Sequence, residues 1–281
     1  MRELRGVPVA KAMVEHLQKE VIQLQNKGIV PKLAIVRVGE REDDLSYERG
    51  IYKRFGEAGA LVETFALPLE VTQKKLEEVV LGLSQSEAIH GILIFRPLPN
   101  HLNEESIKKI TAVEKDVDCM TTANAAHVFS GDGQGYPPCT PQAVVEILEH
   151  YGIDVCGKKV TVVGRSMVVG RPLAMLLLQK HATVTICHTR TQNLEEECRR
   201  ADILICCAGV PKMITKDFVR QGQVVIDVGI HAMQDGLCGD VDYNGVYEMV
   251  DAITPVPGGV GSVTTSVLLK HVVKNCREFL K

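Results

Sequence analysis

Residues 160–172 read VTVVGRSMVVGRP. A β-branched run ends at Gly164, and Gly170 opens a second stretch that reads as helix. A strand turning into a helix at this spacing aims backbone N–H groups and the helix N-terminus at one point, which suits a pyrophosphate. The spacing is G-x-S-x-x-x-G, not the common G-x-G-x-x-G fingerprint, so a tight turn without a ligand is the competing reading. The surrounding pattern favours the ligand.

Four strand candidates lie in this half of the chain: KKVTVVG (158–164), ATVTIC (182–187), ADILICCAG (201–209) and QVVIDVG (223–229). Helices or turns separate them. Upstream, Thr140 and Pro141 read as N-cap and first-turn proline of a helix through QAVVEILEHYG. The first half repeats the alternation. Ala10, Met13, Leu17, Val21 and Leu24 recur at helical spacing, and Gly28 closes that helix. Strands follow at KLAIVRV (32–38), LVETFAL (61–67) and GILIF (91–95), with a Tyr47 helix between the first two and a Thr72-capped helix before the third. A final helix runs from about Thr264 to Phe279. This β-α-β-α order predicts an α/β protein of two domains around a cleft, the second Rossmann-like with a parallel sheet. The expected division is 1–138 plus 262–281 for one domain and 139–261 for the other, with the Gly- and Pro-rich break at 131–141 as the hinge.

Composition narrows the function. A net charge of −3 gives no basic footprint, so no nucleic-acid partner is expected. Trp is absent and aromatics are 4%. The nine cysteines form no C-x-x-C pair and no H-E-x-x-H occurs, so no metal is expected and the thiols read as free and buried. No apolar stretch nears the ~20 residues of a membrane span. The first residues, MRELRGVPVAKAMVEHL, lack a secretion-signal core, so a cytoplasmic protein is expected.

Cofactor choice rests on the strand TVTIC. An NAD-selecting domain usually places an acid at the end of the strand after the glycine loop. Here HTRT (188–191) follows, without a carboxylate. Arg165 in the glycine loop, Arg190 and a neighbouring hydroxyl suit a 2′-phosphate, which favours NADP over NAD; Arg190 as plain surface charge is the competing reading.

Several stretches together resemble the methylenetetrahydrofolate dehydrogenase/cyclohydrolase family: GILIFRPLP, KDVD, PCTP, VVGRSMVVGRP, TVTICHTRT, ADILICCAG, VIDVGI, GDVDY and ITPVPGGVG. They follow family order over nearly the whole chain. The resemblance implies NADP-linked oxidation of 5,10-methylene- to 5,10-methenyltetrahydrofolate and a homodimer joined through the NADP-binding domains. It implies catalytic roles for Tyr47 and Asp118, and a folate surface of Tyr47, Phe95, Arg96, Pro97, Leu98, Asp118, Pro257, Gly258 and Gly259. For the cofactor it implies Thr140 and the loop residues Gly164, Arg165, Ser166, Val169 and Gly170. His188, Thr189 and Arg190 follow, then Ala208 and Gly209, then Val228, Gly229 and Ile230, and finally Thr264.

The departures concentrate on the folate side. Around DLSYERGIYKRF (44–55) the family pattern has a tyrosine and, four residues later, a lysine; here Tyr47 stands at the first and Ile51 at the second. Phe95 takes the place of a glutamine, Arg96 of a leucine, Cys119 of a glycine and Ser262 of a proline. Isoleucine offers neither proton nor lone pair, Lys53 points away from the Tyr47 face, and the Arg54 guanidinium is a poor base. Dehydrogenation is therefore expected to survive and cyclohydrolase activity to be lost or very weak. Full bifunctional activity, and an inactive binding protein, are the alternatives. Each residue also has a structural reading: Tyr47, Ile51 and Phe55 as a helix core face, Asp118 as a cap, Arg96 as surface charge, Cys139 as packing, His188 and His231 as structural or solvent-facing.

Overall fold

The computed structural model describes residues 2–234 and 236–278. The chain begins with β1 (Arg2–Glu3), α1 (Gly6–Gln25), β2 (Lys32–Val38), α2 (Glu42–Ala58), β3 (Leu61–Leu67), α3 (Gln73–Gln85) and β4 (Gly91–Ile94). Next come α4 (Glu104–Ile110), α5 (Thr122–Ser130), α6 (Cys139–His150), β5 (Lys159–Val163), α7 (Gly170–Gln179), β6 (Thr183–Cys187) and α8 (Leu194–Arg200). It closes with β7 (Ile203–Cys206), β8 (Val224–Asp227), β9 (His231–Met233), β10 (Gly236–Cys238), α9 (Tyr243–Val246), β11 (Ala252–Ile253) and α10 (Thr264–Glu278). These elements form two α/β units, one of residues 12–139 with the chain from 265 onward, the other of residues up to 11 with 140–264.

In the 12–139 unit, three parallel strands lie in the order β3-β2-β4, with Ala34 opposite Glu63 and Ile92. The central strand β2 is apolar on both faces, as a parallel strand covered from both sides must be. Ala34, Val36 and Val38 pack with Leu76, Val80 and Leu83 of α3. The two-residue period sends Leu33 and Ile35, both fully buried, to the opposite face. Thr72 caps α3 as the sequence predicts, its side chain accepting the Lys75 amide.

The other unit carries a six-stranded sheet in the order β1-β11-β8-β7-β5-β6, parallel throughout. Taken from β5, the chain steps outward to β6 and then returns past β5 to β7. That reversal is the topological switch point of a doubly wound sheet, and ligands bind beyond the strand C-termini there. Both glycine-bearing loops of interest, after β5 and after β7, lie at this point.

Four differences from the sequence reading have physical causes. Residues 2–11 join the 140–264 unit, because Arg2 donates its amide to Asp251 and Leu4 to Ile253, adding an edge strand too short to show periodicity. The strand at 91–95 stops at Ile94, although Phe95 N–H still reaches the Val36 carbonyl at 3.0 Å. Thr140 is not an N-cap: α6 already begins at Cys139, whose amide is taken by the Asp118 carboxylate at 2.8 Å. The hairpin β9–β10 has three-residue strands that no pattern announces. The expected helix end at Phe279 lies outside the described residues; α10 runs to Glu278.

The nine cysteines are all free, and Cys139, Cys187, Cys198, Cys206 and Cys276 are buried. Among the described residues, no His/Cys/Asp/Glu group could hold a metal, and no helix is long and apolar enough to cross a membrane. Cys119 holds φ at 57°, a left-handed backbone that glycine adopts without strain. Cys119→Gly is therefore expected to stabilise the protein by about 0.5–1 kcal/mol, strain relief outweighing the added freedom of the unfolded chain. A urea midpoint that fails to rise would contradict this.

Candidate functional site

On the substrate side, α2 decides what Tyr47 and Ile51 can do. Its first turn carries Glu42, Asp43 and Asp44, which suit the positive helix end, and Gly59 stops it at φ 79°. A polar cluster fixes its rotation. Arg37 on β2 donates to Glu48 at 2.9 Å, and the other Glu48 oxygen accepts the Thr64 hydroxyl of β3 at 2.9 Å. Held this way, the helix buries Ile51 completely, with Phe55 and Ala58 on the same side. Tyr47 is half-buried, and its ring centre lies 5.8 Å from that of Phe95 at 37° between planes. Aromatic pairs favour such an offset, tilted arrangement. Lys53 is exposed, and Arg54 pairs with Glu57 at 2.8 Å.

Asp118 stands in a short segment tied down residue by residue. The buried Lys115 ammonium donates to the carbonyls of Ser84 and Ser86, at 2.8 and 2.7 Å, closing the C-terminus of α3. The buried Asp116 carboxylate takes the amides of Met120 and Thr121, the Thr121 hydroxyl and the Asn124 amide side chain. The Val117 carbonyl accepts from His271 Nδ1 at 2.8 Å. Burial raises the Asp118 pKa; its bonds to the Cys139 amide and thiol and the charge of Arg96 pull the other way. The capping reading of Asp118 is thus seen directly, and Cys139 is a buried thiol pushed well up by burial, as a packing residue should be. Arg96 is partly buried and faces Glu104 at 3.6 Å, while its carbonyl accepts from Arg41. Pro97 and Leu98 line a pocket of about 680 Å³ with Gly39, Arg41 and Leu67, whereas Tyr47, Phe95 and Asp118 are not among its lining residues. Pro257, Gly258, Gly259 and Thr264 belong to the 140–264 unit.

On the cofactor side, close approach explains both glycines. A Cβ on Gly164, whose φ is 136°, would overlap the Cys207 carbonyl, and one on Gly170 would overlap Gly164 itself. The Ser166 hydroxyl accepts the Val169 amide at 3.0 Å and so opens α7. At the end of β6, His188 Nδ1 accepts the Arg190 amide at 3.1 Å, and Thr191 closes the same turn onto the His188 amide. Arg165, Thr189 and Arg190 are exposed, and neither guanidinium pairs with an acid among the described residues. The two glycines let this loop fold tightly against the loop after β7, and the exposed Arg165 and Arg190, which meet no acid among the described residues, suit a phosphate-rich dinucleotide.

Behind these loops lies a polar core that sequence reasoning missed. Asp227 ends β8 and accepts the amides of Gly229, Asp240 and Val241 at 2.9–3.0 Å. Asp240, fully buried, accepts those of Ala208, Gly209 and Val210 at 2.6, 3.0 and 3.1 Å. The Thr254 hydroxyl bonds the Asp227 amide at 2.7 Å just before the PVPGG stretch. Candidate cofactor residues Ala208, Gly209 and Gly229 are thus shaped by two aspartates. The signal was there in VIDVGI and GDVDY, each an acid amid apolar residues.

A model of the tetrahydrofolate dehydrogenase/cyclohydrolase catalytic domain matches residues 4–118, and a model of that family's NAD(P)-binding domain matches residues 138–280. The chain belongs to the tetrahydrofolate dehydrogenase/cyclohydrolase family. Among its relatives is the Clostridioides difficile protein named bifunctional protein FolD, 56% identical over 98% of this chain and 96% of that one. The Campylobacter jejuni bifunctional FolD structure superposes with a TM-score of 0.96 at 35% identity, over 99% of each chain. The Trypanosoma brucei enzyme, solved with NADP cofactor and an inhibitor, gives 0.93 at 35% identity over 99% of this chain and 97% of that one.

Burial pushes Asp227 up from 3.8 to about 6 despite its three amide donors. The native chain therefore holds a proton between those values that the unfolded chain has released. Its contribution to stability is complete below about pH 4 and is lost as pH rises through about 6. Asp227→Asn is expected to remove this decline from urea midpoints measured between pH 4 and 7. It also lowers stability overall by about 1–3 kcal/mol, because an amide cannot satisfy every N–H. An unchanged slope would contradict the assignment.

Proposed function

We propose that the chain oxidises 5,10-methylenetetrahydrofolate to 5,10-methenyltetrahydrofolate with NADP, and that cyclohydrolase activity is lost or very weak. The observation that carries this reading is the complete burial of Ile51 one turn from Tyr47, at the place where the family pattern has a lysine. Hydride transfer needs positioning and room for a developing cation, which the folate nitrogens stabilise, so no side chain must take a proton in that step. NADP, when bound, supplies the hydride acceptor. Tyr47 and Phe95 offer an aromatic wall and Asp118 an acceptor for pterin N–H groups. Arg165 and Arg190, which meet no acid among the described residues, favour a 2′-phosphate, hence NADP over NAD.

Cyclohydrolase chemistry adds water to the methenyl carbon and then breaks a C–N bond with proton movement. A placed acid–base group typically contributes ~10²- to 10⁴-fold to such steps. Position 51 supplies none, and Arg54 is committed to Glu57. The names of the relatives support a second reading, full bifunctional activity, with a water or Arg96 in the lysine's role. The resemblance also carries a homodimer through the 140–264 units, which sedimentation of the purified chain tests.

One cuvette separates the two readings. NADP should be reduced with methylenetetrahydrofolate, and the methenyl product should then decay at its uncatalysed rate. Enzyme-dependent acceleration of that decay would establish the bifunctional reading instead. Ile51→Lys alone is expected to leave cyclohydrolase unrestored and to destabilise the chain by several kcal/mol, roughly the cost of an unpaired buried ammonium. A folded variant with restored hydrolysis would show that position 51 suffices.

A further inference from the structure

His231, the first residue of β9, sets its Nε2 2.8 Å from Asp240 Oδ1. A carboxylate only accepts, so the ring donates. The same carboxylate gathers the amides of Ala208, Gly209 and Val210 from the loop after β7. Three consecutive amides turned toward one acceptor impose a definite loop shape, with Gly209 at φ 74°. This loop neighbours Gly164, since a Cβ there would strike the Cys207 carbonyl. It therefore lies at the switch point of the sheet, where dinucleotides bind. The His231 side chain is 18% exposed and that of Asp240 is at 0%, so the ring also covers the carboxylate from solvent.

We infer that His231 is a positioning residue for the dinucleotide. Its N–H holds Asp240 in the rotamer that keeps residues 208–210 in their inward-amide shape, and this sets cofactor affinity without the ring touching the ligand. The inference rests on the NADP-linked reading given above.

The test uses the full chain with His231→Ala and His231→Gln. Calorimetric titration with NADP and hydrogen exchange at the amides of Ala208, Gly209 and Val210 are the readouts. His231→Ala should weaken NADP binding roughly three- to tenfold and speed exchange at those three amides. The folate KM and the kcat at saturating NADP should stay unchanged. His231→Gln, whose amide N–H can still reach the carboxylate, should restore both readouts. Parental affinity and exchange in His231→Ala, or equal impairment of both variants, would overturn the inference alone. Failure of the parent chain to bind NADP would overturn the functional reading and this inference with it.

Discussion

Two buried carboxylates, Asp227 and Asp240, hold the cofactor half of the protein in shape. Between them they accept six backbone amides and one imidazole N–H. A loop in a protein interior must satisfy its N–H groups, and no ladder is available past a strand's end. Collecting several amides on one charged acceptor solves this with strong bonds and leaves no room for a side chain. That is why Gly229 and Gly239 flank them: a Cβ on either would overlap an aspartate oxygen. Charge is kept inside because it orders the loops.

The substrate half uses the same device with different partners. Asp116 organises the start of α5, Lys115 ends α3, and Asp118 receives the first amide of α6. The motif KDVD thus reads as three anchors in four residues. One of them, Asp118, has its charge disfavoured by burial.

Much of this was legible. Strands β2 and β3 lie at the expected residues, because each is a long run of β-branched and apolar residues between turn formers. The glycine loop was visible because Gly164 follows a buried run directly. Thr140 misled because an N-cap is read locally, whereas the acceptor for that helix is Asp118, far back in the chain. Lys115 escaped for the same reason, since its partners, the Ser84 and Ser86 carbonyls, lie at the end of α3, while His231 has the structural role the sequence allowed it, on Asp240. At Ile51, sequence told which residue stands there, but only the packing of α2 showed it wholly enclosed.

The strand β1 pairs with β11, and α10 supplies His271 to the unit that begins near residue 12. Neither half is contiguous. On a ribosome the leading half of a chain usually condenses while the remainder is still being made. Here β1 finds its partner strand only in β11, distant in sequence, and the 12–139 unit is completed by α10. Each core therefore closes only when segments far apart in the chain meet, and until they do the apolar faces they cover stay open to water.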